Sequence, residues 1–465
     1  MKSVSPRAVL SMTSLGKPSV RRAVFLLVAT CLMATASAQT RILRIVTYNI
    51  AADINGATAP LPGLLAPPGN PNNYQAGGVL AGIGEELLNG HAQPLDILAL
   101  QETTSNPVTV TPIVNGLNAF YGVAGMYSNS PYQATESGGV ATSGNGPNAI
   151  VFNTRTVQLL ASVPVDPPAG TSALGSSSGE YREVMRYQFA PAGVAINAAN
   201  VFYLYVSHYK SGTGTANVNY RLGEAQIIRN NAALLPPAAR VLYVGDFNTG
   251  VAAEGMYVTL ITPGINQALD PVNPTGSTNL VWDINSAVAV KTYSPSAIHY
   301  RDDYQLMTTN VYAGVAGGLS LIPGTYHPFG NNGSIAFTNS LNSATNTALN
   351  NRLVTNGPAF LTATQLLLDL ASASDHLPVV ADYTIPVPVP VITGVNLAGT
   401  NLVLTVTNGI TNGLYTVLMS TNLAMPLTNW TAGDSSVAAG GKFTFTVTNG
   451  ASTSGRQRFY QLRSQ

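Results

Sequence analysis

"LYVGDFNTG", residues 242–250, carries an apolar strand pattern straight into Asp246 and Asn248. Strand residues two apart share a face, so a carboxylate and a carboxamide could leave the core aimed at one spot. Gly, Asp and Asn are also the usual turn formers, and from this stretch alone the turn stays open. What the other strands carry at their ends decides between the two readings.

Those ends repeat the pattern. RILRIVTYNI (41–50) delivers Asn49, LDILALQE (95–102) delivers Glu102, and VFYLYVSH (201–208) delivers His208 with Lys210 close behind. RDDYQL (301–306) supplies Asp303, and SDHLPV (374–379) supplies Ser374, Asp375 and His376. With NAIVFN (148–153), the apolar runs read as short strands. Between them, GGVLAGIGEELLNG (77–90) and YRLGEAQIIRNNAALL (220–235) space their apolar residues as helices do. Strands alternating with helices and long loops predict an α/β (α+β) sandwich. One polar residue at a strand end is ordinarily a cap or a turn. Six strand ends bearing carboxylate, carboxamide or imidazole read as one site.

These segments, in this order, resemble the endonuclease/exonuclease/phosphatase superfamily. Its deoxyribonuclease I-like fold is a four-layered α/β sandwich with the site at one edge, where two central sheets meet. The resemblance covers Arg41 to about Tyr383, and GDFN followed much later by SDHLPV is its most specific part. It implies that Asp303, with Asp302 as competitor, partners His376. It also implies that Asn148 stands where a glutamate would partner the first histidine, which makes His208 a hydrogen-bond donor to phosphate. YREVMRYQF (181–189) resembles a segment of deoxyribonuclease I lying beside bound DNA, which makes Arg182 an expected phosphate contact outside the centre.

The residue types support such chemistry by themselves. Phosphodiester hydrolysis needs a metal against the phosphate oxygens, a base for water, and stabilisation of developing charge. Oxygen ligands without thiolates suit Mg2+, with Mn2+ or Ca2+ as alternatives. Glu102 is the expected ligand, with Asn49 as carbonyl ligand or orienter and Asp375 for a second metal. Asp246 would orient or deprotonate water, and Asn248 would donate to the developing charge. His208 and Lys210 are expected on one strand face as phosphate-binding groups, while His91, His299 and His327 read as structural.

The first 38 residues place Lys2, Arg7, Lys17, Arg21 and Arg22 before an apolar run from Ala23 to Ala29 and end on Ala36-Ser37-Ala38. That order predicts a secretory signal peptide cleaved after Ala38. Without it 16 of the 21 Lys and Arg face all 20 acids, a net of −4, so a polyanion would have to bind through local groups or metal. The only cysteine, Cys31, leaves with that leader, which excludes a thiol nucleophile, a disulfide and a Cys-type zinc site. Only 9% of residues are charged, which suits an exported β-rich chain. TIPVPVPV (384–391) reads as a stiff extended spacer, placed at 386–390 between a catalytic domain (39–385) and an all-β sandwich-like module (391–465). That module shows four strand-like runs, NLVLTVTN, LYTVLMST, KFTFTVTN and RFYQLRS, and no catalytic constellation. The loops 170–181 and 326–351 are mostly polar and are expected to shape a substrate groove.

The function expected from all this is a secreted, divalent-metal-dependent phosphodiesterase, a nuclease for extracellular DNA or RNA. The alternatives are a sphingomyelinase-like phospholipase, a phosphomonoesterase, or a non-catalytic binding protein on the same fold. The mature chain is expected to be a monomer with no transmembrane segment and no stable protein partner.

Overall fold

The computed structural model describes residues 11–12, 27–28, 39–52, 62–131, 147–165, 184–283, 288–293, 298–315, 317–335, 339–355, 357, 361–411, 413–426, 429–450 and 458–464. The expected leader lies outside the described residues except for the antiparallel pair β1 (Ser11–Met12) and β2 (Leu27–Val28). No helix among the described residues is long and apolar enough to cross a membrane.

The chain divides into two compact units, of which the larger spans Ile42–Ala190 and Asn197–Ile385. Its first half runs β3 (Gln39–Asn49), α1 (Val79–Glu85), β4 (Ile97–Gln101), α2 (Thr111–Phe120), β5 (Tyr127–Asn129), β6 (Ala149–Asn153), β7 (Val157–Pro164) and β8 (Met185–Pro191). Then come β9 (Phe202–His208), α3 (Thr215–Ala233), β10 (Val241–Asp246), α4 (Gly255–Ile261), β11 (Ala268–Leu269) and β12 (Asp303–Thr308). The last part holds α5 (Thr309–Tyr312), β13 (Ser320–Leu321), β14 (His327–Pro328), α6 (Ala363–Ala373) and β15 (Val379–Val387).

These strands form two mixed sheets, ordered β11-β12-β10-β9-β8-β7 and β13-β15-β3-β4-β6-β5, with β14 also paired to β15. Alternation along each strand stacks them. On β10, Leu242 and Val244 face a core shared with Ile45 of β3, Ile97 of β4 and Tyr383 of β15. Val241 and Tyr243 point the other way, onto Ala225 and Ile228 of α3 and Met256 of α4. On β3, Val46 and Tyr48 turn from the shared core toward α1, α2 and α6 through Ile83, Leu117 and Leu366. The result is helix, sheet, sheet, helix: the four-layered sandwich expected from the sequence. Because both faces of each sheet are covered, the central strands read as unbroken apolar runs. Each fully buried Leu or Val contributes about 1.5–3 kcal/mol.

The loop 326–351 departs from its expected role. It carries β14 and sends Phe329, Ile335, Leu341 and Leu349 into the core beneath α6; none of its described residues lines the cavity at the polar strand ends, though Leu349, Asn350 and Asn351 line a second one. The other loop, 170–181, lies outside the described residues.

The second unit is built on Pro386–Gln465 and takes in Pro191–Ile196. From Pro386 on, its described residues form six strands beyond β15: β16 (Val391–Ala398), β17 (Asn401–Thr407), β18 (Leu414–Ser420), β19 (Thr431–Val437), β20 (Phe443–Val447) and β21 (Phe459–Ser464). They make two three-stranded antiparallel sheets, β16-β17-β20 and β19-β18-β21. Leu404 and Phe445 of one sheet pack on Val417 and Tyr460 of the other. The edge strands β16 and β19 were not legible as strands. The expected spacer is also shorter than 386–390, since β15 continues through Pro386 and Val387 and only 388–390 lie between strands.

Candidate active site

Strand register assembles the site. Parallel pairing sets His208 of β9 opposite Asp246 of β10, and antiparallel pairing sets Asp246 opposite Asp303 of β12. In the other sheet, parallel β3 and β4 place Asn49 opposite Gln101, and Glu102 follows at once. The glycine of GDFN has a steric cause. Gly245 holds φ 139°, and a Cβ there would collide with the Ser207 carbonyl of β9. Only glycine lets β10 approach β9 this closely just before Asp246.

The exits from β3 and β10 use one device. Ala51 and Asn248 both adopt left-handed φ of 49°. Each donates its backbone N–H to the side chain two residues back, Ala51 to Asn49 Oδ1 and Asn248 to Asp246 Oδ1, both at 3.0 Å. These are side-chain-capped turns. The turn reading of GDFN is therefore right locally, and the shared-face argument is not, because β10 ends at Asp246. Asn248 still lines the same cavity as Asp246, brought there by the turn.

Asn49 Nδ2 donates to Glu102 Oε1 and to Asp246 Oδ2, both at 3.0 Å. His208 Nε2 lies 3.4 Å from the same two oxygens. On the far side, His376 Nδ1 is 2.8 Å from Asp303 Oδ2 and its Nε2 is 3.7 Å from Asp246 Oδ2. Ser374 Oγ ties this segment to β3, donating to Asn49 O at 2.7 Å and accepting from His376 N at 3.1 Å. Polar strand ends from both sheets thus meet at one edge of a four-layered sandwich.

No family model matches the chain, and no curated protein does. Among solved structures it is similar to the endonuclease/exonuclease/phosphatase from Beutenbergia cavernae, at 14% identity and TM-score 0.40, covering 91% of this chain and 100% of that one. TDP2 from D. rerio, complexed with a single-strand DNA product, is similar at 14% identity and TM-score 0.39, covering 74% and 98%. The mannosyl-6-phosphatase from Bacteroides thetaiotaomicron is similar at 11% identity and TM-score 0.37, covering 73% and 99%.

Within this sandwich, Asp303 rather than Asp302 faces His376. Thr292 fixes that choice: its Oγ1 accepts from the N–H groups of Asp302 and Asp303 at 3.1 and 3.0 Å. Its own backbone pairs with Tyr300 and Leu377. Asp302 turns to the cavity, where burial and then the Asp246 charge push its pKa well above the usual carboxylate range. Burial works against charge on His376. The Asp303 and Asp246 carboxylates outweigh it and hold the imidazole pKa well above its ordinary value.

Several expected roles are corrected. Asn49 turns its amide nitrogen toward the carboxylates and accepts from Ala51 N–H with its carbonyl, which is the orienting arrangement of the two expected. Lys210 follows the end of β9, shares no strand face with His208 and does not line the cavity. Asn148 is buried, donates to the Val206 carbonyl at 3.2 Å and also lies off the cavity. Asp375 lines the cavity but joins neither cluster of metal-binding groups among the described residues. Arg182 lies outside the described residues. Thr292, Tyr293 and Arg221 were missed. Tyr293 packs its ring 4.7 Å from that of His376, and Arg221 lies buried at the wall, joined to Glu254. No local signal marks them, because each acts through a partner distant in sequence.

The cavity these residues line measures about 530 Å³. One ligand atom each from Glu102, His208 and Asp246 lies within 4.8 Å of the others, and the same holds for Asp246, Asp303 and His376. Glu102 and Asp246 are 6% and 1% exposed. Two carboxylates buried side by side are costly without a cation between them, and the donors are mostly hard oxygens. This donor set fits a divalent ion of the Mg2+, Mn2+ or Ca2+ kind.

Proposed function

We propose that the chain is a divalent-metal-dependent phosphoester hydrolase. The observation that carries this is the meeting of Glu102 and Asp246, from different sheets, around His208, with the Asp303–His376 pair completing the wall. Glu102 and Asp246 would hold the ion, which supplies positive charge against the phosphate oxygens. Asp246, gripped at one oxygen by Asn49 and at the other by the Asn248 N–H, orients the attacking water and accepts its proton. His376, its ring set by Asp303, donates from Nε2 to a phosphate oxygen, and His208 donates from the opposite side. Asn248 spends one amide hydrogen on the Tyr209 carbonyl at 3.0 Å and keeps the other for the charge that develops on phosphate. The phosphorus–oxygen bond to the leaving group breaks as the water oxygen bonds to phosphorus.

Export through residues 1–38 belongs to the same proposal, and a secreted chain beginning at Gln39 would bear it out. Hydrolysis of bis(p-nitrophenyl) phosphate and of p-nitrophenyl phosphate by the full chain tests the chemistry, with Mg2+, Mn2+ or Ca2+ and again in EDTA. Metal-dependent turnover is expected. Full activity in EDTA, or none with any of the three ions, overturns it, and the second result would favour a non-catalytic binding protein. Nuclease, sphingomyelinase-like and phosphomonoesterase readings differ only in what surrounds the phosphate.

A further inference from the structure

Resting on that reading, we infer that the substrate is a small ester with a single phosphate whose remainder is uncharged or cationic, and not a polynucleotide. A polynucleotide is held mainly by Lys and Arg on successive phosphates, with counterions released as they bind. Residues 42–385 carry eleven Lys and Arg against nineteen Asp and Glu, a formal net of −8 with histidines neutral. Four of the eleven are taken up by acids of the fold: Arg44 by Asp382, Arg221 by Glu254, Arg301 by Asp270 and Arg352 by Glu86. Three more arginines donate to an asparagine side chain or to backbone carbonyls.

Arg221 is the one Lys or Arg among the described residues lining the cavity. Both edges of its guanidinium are occupied, by Glu254 at 2.5 and 2.8 Å and by the Lys210 and Gly212 carbonyls at 2.6 and 2.8 Å. Arg155 follows Asn153, at the end of β6 away from the site, since Ala149 pairs with Leu100 beside Glu102. Lys291 is buried, and Lys210 lies off the cavity. Stretches of this unit outside the described residues add one base, Arg182, against five acids.

The histidines and a metal ion at the centre can hold one phosphate. Beyond them the wall offers Tyr293, Tyr300, Val218 and Val251, with the carboxylates of Asp283 and Asp375. Aromatic faces with carboxylates attract a cationic or neutral group and repel a second phosphate. The volume of about 530 Å³ also suits one small ligand.

The test uses the full chain with Mn2+. Turnover of p-nitrophenyl phosphorylcholine and bis(p-nitrophenyl) phosphate is compared with that of single-stranded and duplex oligonucleotides. Anisotropy of labelled oligonucleotides is read at about 50 and 200 mM salt, where phosphate contacts lose affinity steeply. The small esters are expected to exceed the oligonucleotides in kcat/KM by at least ~10²-fold, the phosphorylcholine ester leading. Oligonucleotide binding is expected to be weaker than roughly 100 µM at either salt. Preference for an oligonucleotide, or tight and salt-sensitive binding of one even without turnover, overturns the substrate class while leaving the hydrolase reading intact. Absence of turnover on every ester overturns both.

Discussion

Asn49 and Asp246, 197 residues apart, end strands in different sheets and are joined by a hydrogen bond of 3.0 Å. The same amide nitrogen holds Glu102, so one neutral side chain sets the spacing of two buried carboxylates. Asn49→Ala is expected to lower kcat by ~10–10²-fold and to weaken Mn2+ binding, because the carboxylates lose their common donor. Steady-state kinetics and metal titration on one preparation check this. Unchanged values for both would show that Asn49 serves only the turn at Ala51.

Gly245 and Asp246 separate packing from chemistry. Gly245→Ala forces a Cβ against the Ser207 carbonyl at φ 139°, and a loss of more than ~3 kcal/mol is expected. Asp246→Asn keeps the shape and relieves repulsion with Glu102, so Tm should hold or rise while turnover falls at least ~10²-fold. A stable, active Gly245→Ala or an active Asp246→Asn would contradict the assignment.

Thr292 is a positioning residue. Thr292→Val removes the acceptor for two backbone N–H groups, at a cost of about 1–3 kcal/mol for burying them unpaired. It should also shift the pH profile of kcat by loosening Asp303 against His376. Thr292→Ser restores the oxygen and is expected to restore the profile. If Ser and Val behave alike, the hydroxyl plays no such part.

Acid stability should depend on Asp270. Burial would raise its pKa, but the Arg301 guanidinium, bonded at 2.7 and 2.9 Å, holds it below the ordinary 3.8. A depressed folded pKa means the contribution is complete above 3.8 and is lost as pH falls below it. Denaturation curves should therefore show native stability insensitive to this group at neutral pH and falling in that acid window. Asp270→Asn should lose ~3–5 kcal/mol at pH 7 by stranding buried Arg301. An Asn variant as stable as the parent would refute this.

A chain ending at Ile385 is expected to fold and to keep its turnover of soluble esters. The three cores of the catalytic unit draw on no residue beyond Ile385. Circular dichroism and kinetics on the shortened chain check it, and misfolding or lost activity would move the boundary.

The sequence by itself determined the alternation of strands with helices and the polar strand ends. A short continuous apolar run, closed by a carboxylate, amide or imidazole, is a local pattern, and β3, β4, β6, β9 and β10 all show it. Strands β16 and β19 escaped because glycine, asparagine or acidic positions, as in TAGDSSV (431–437), break their alternation, whereas β20, also at a sheet edge, keeps it in FTFTV. Which polar residues meet was not local. Asp303 and Asp302 are neighbours of one chemical type, and only the β10–β12 register with the Thr292 clamp turns the first toward His376. Lys210 is right in kind and wrong in place, because strand β9 stops at His208. Whether the arginines could serve a substrate was equally hidden, since a guanidinium's partner is chosen by packing across tens to hundreds of residues. Tertiary structure decided these matters because hydrogen bonds and ion pairs depend on distances of a few ångströms, which chain order does not fix.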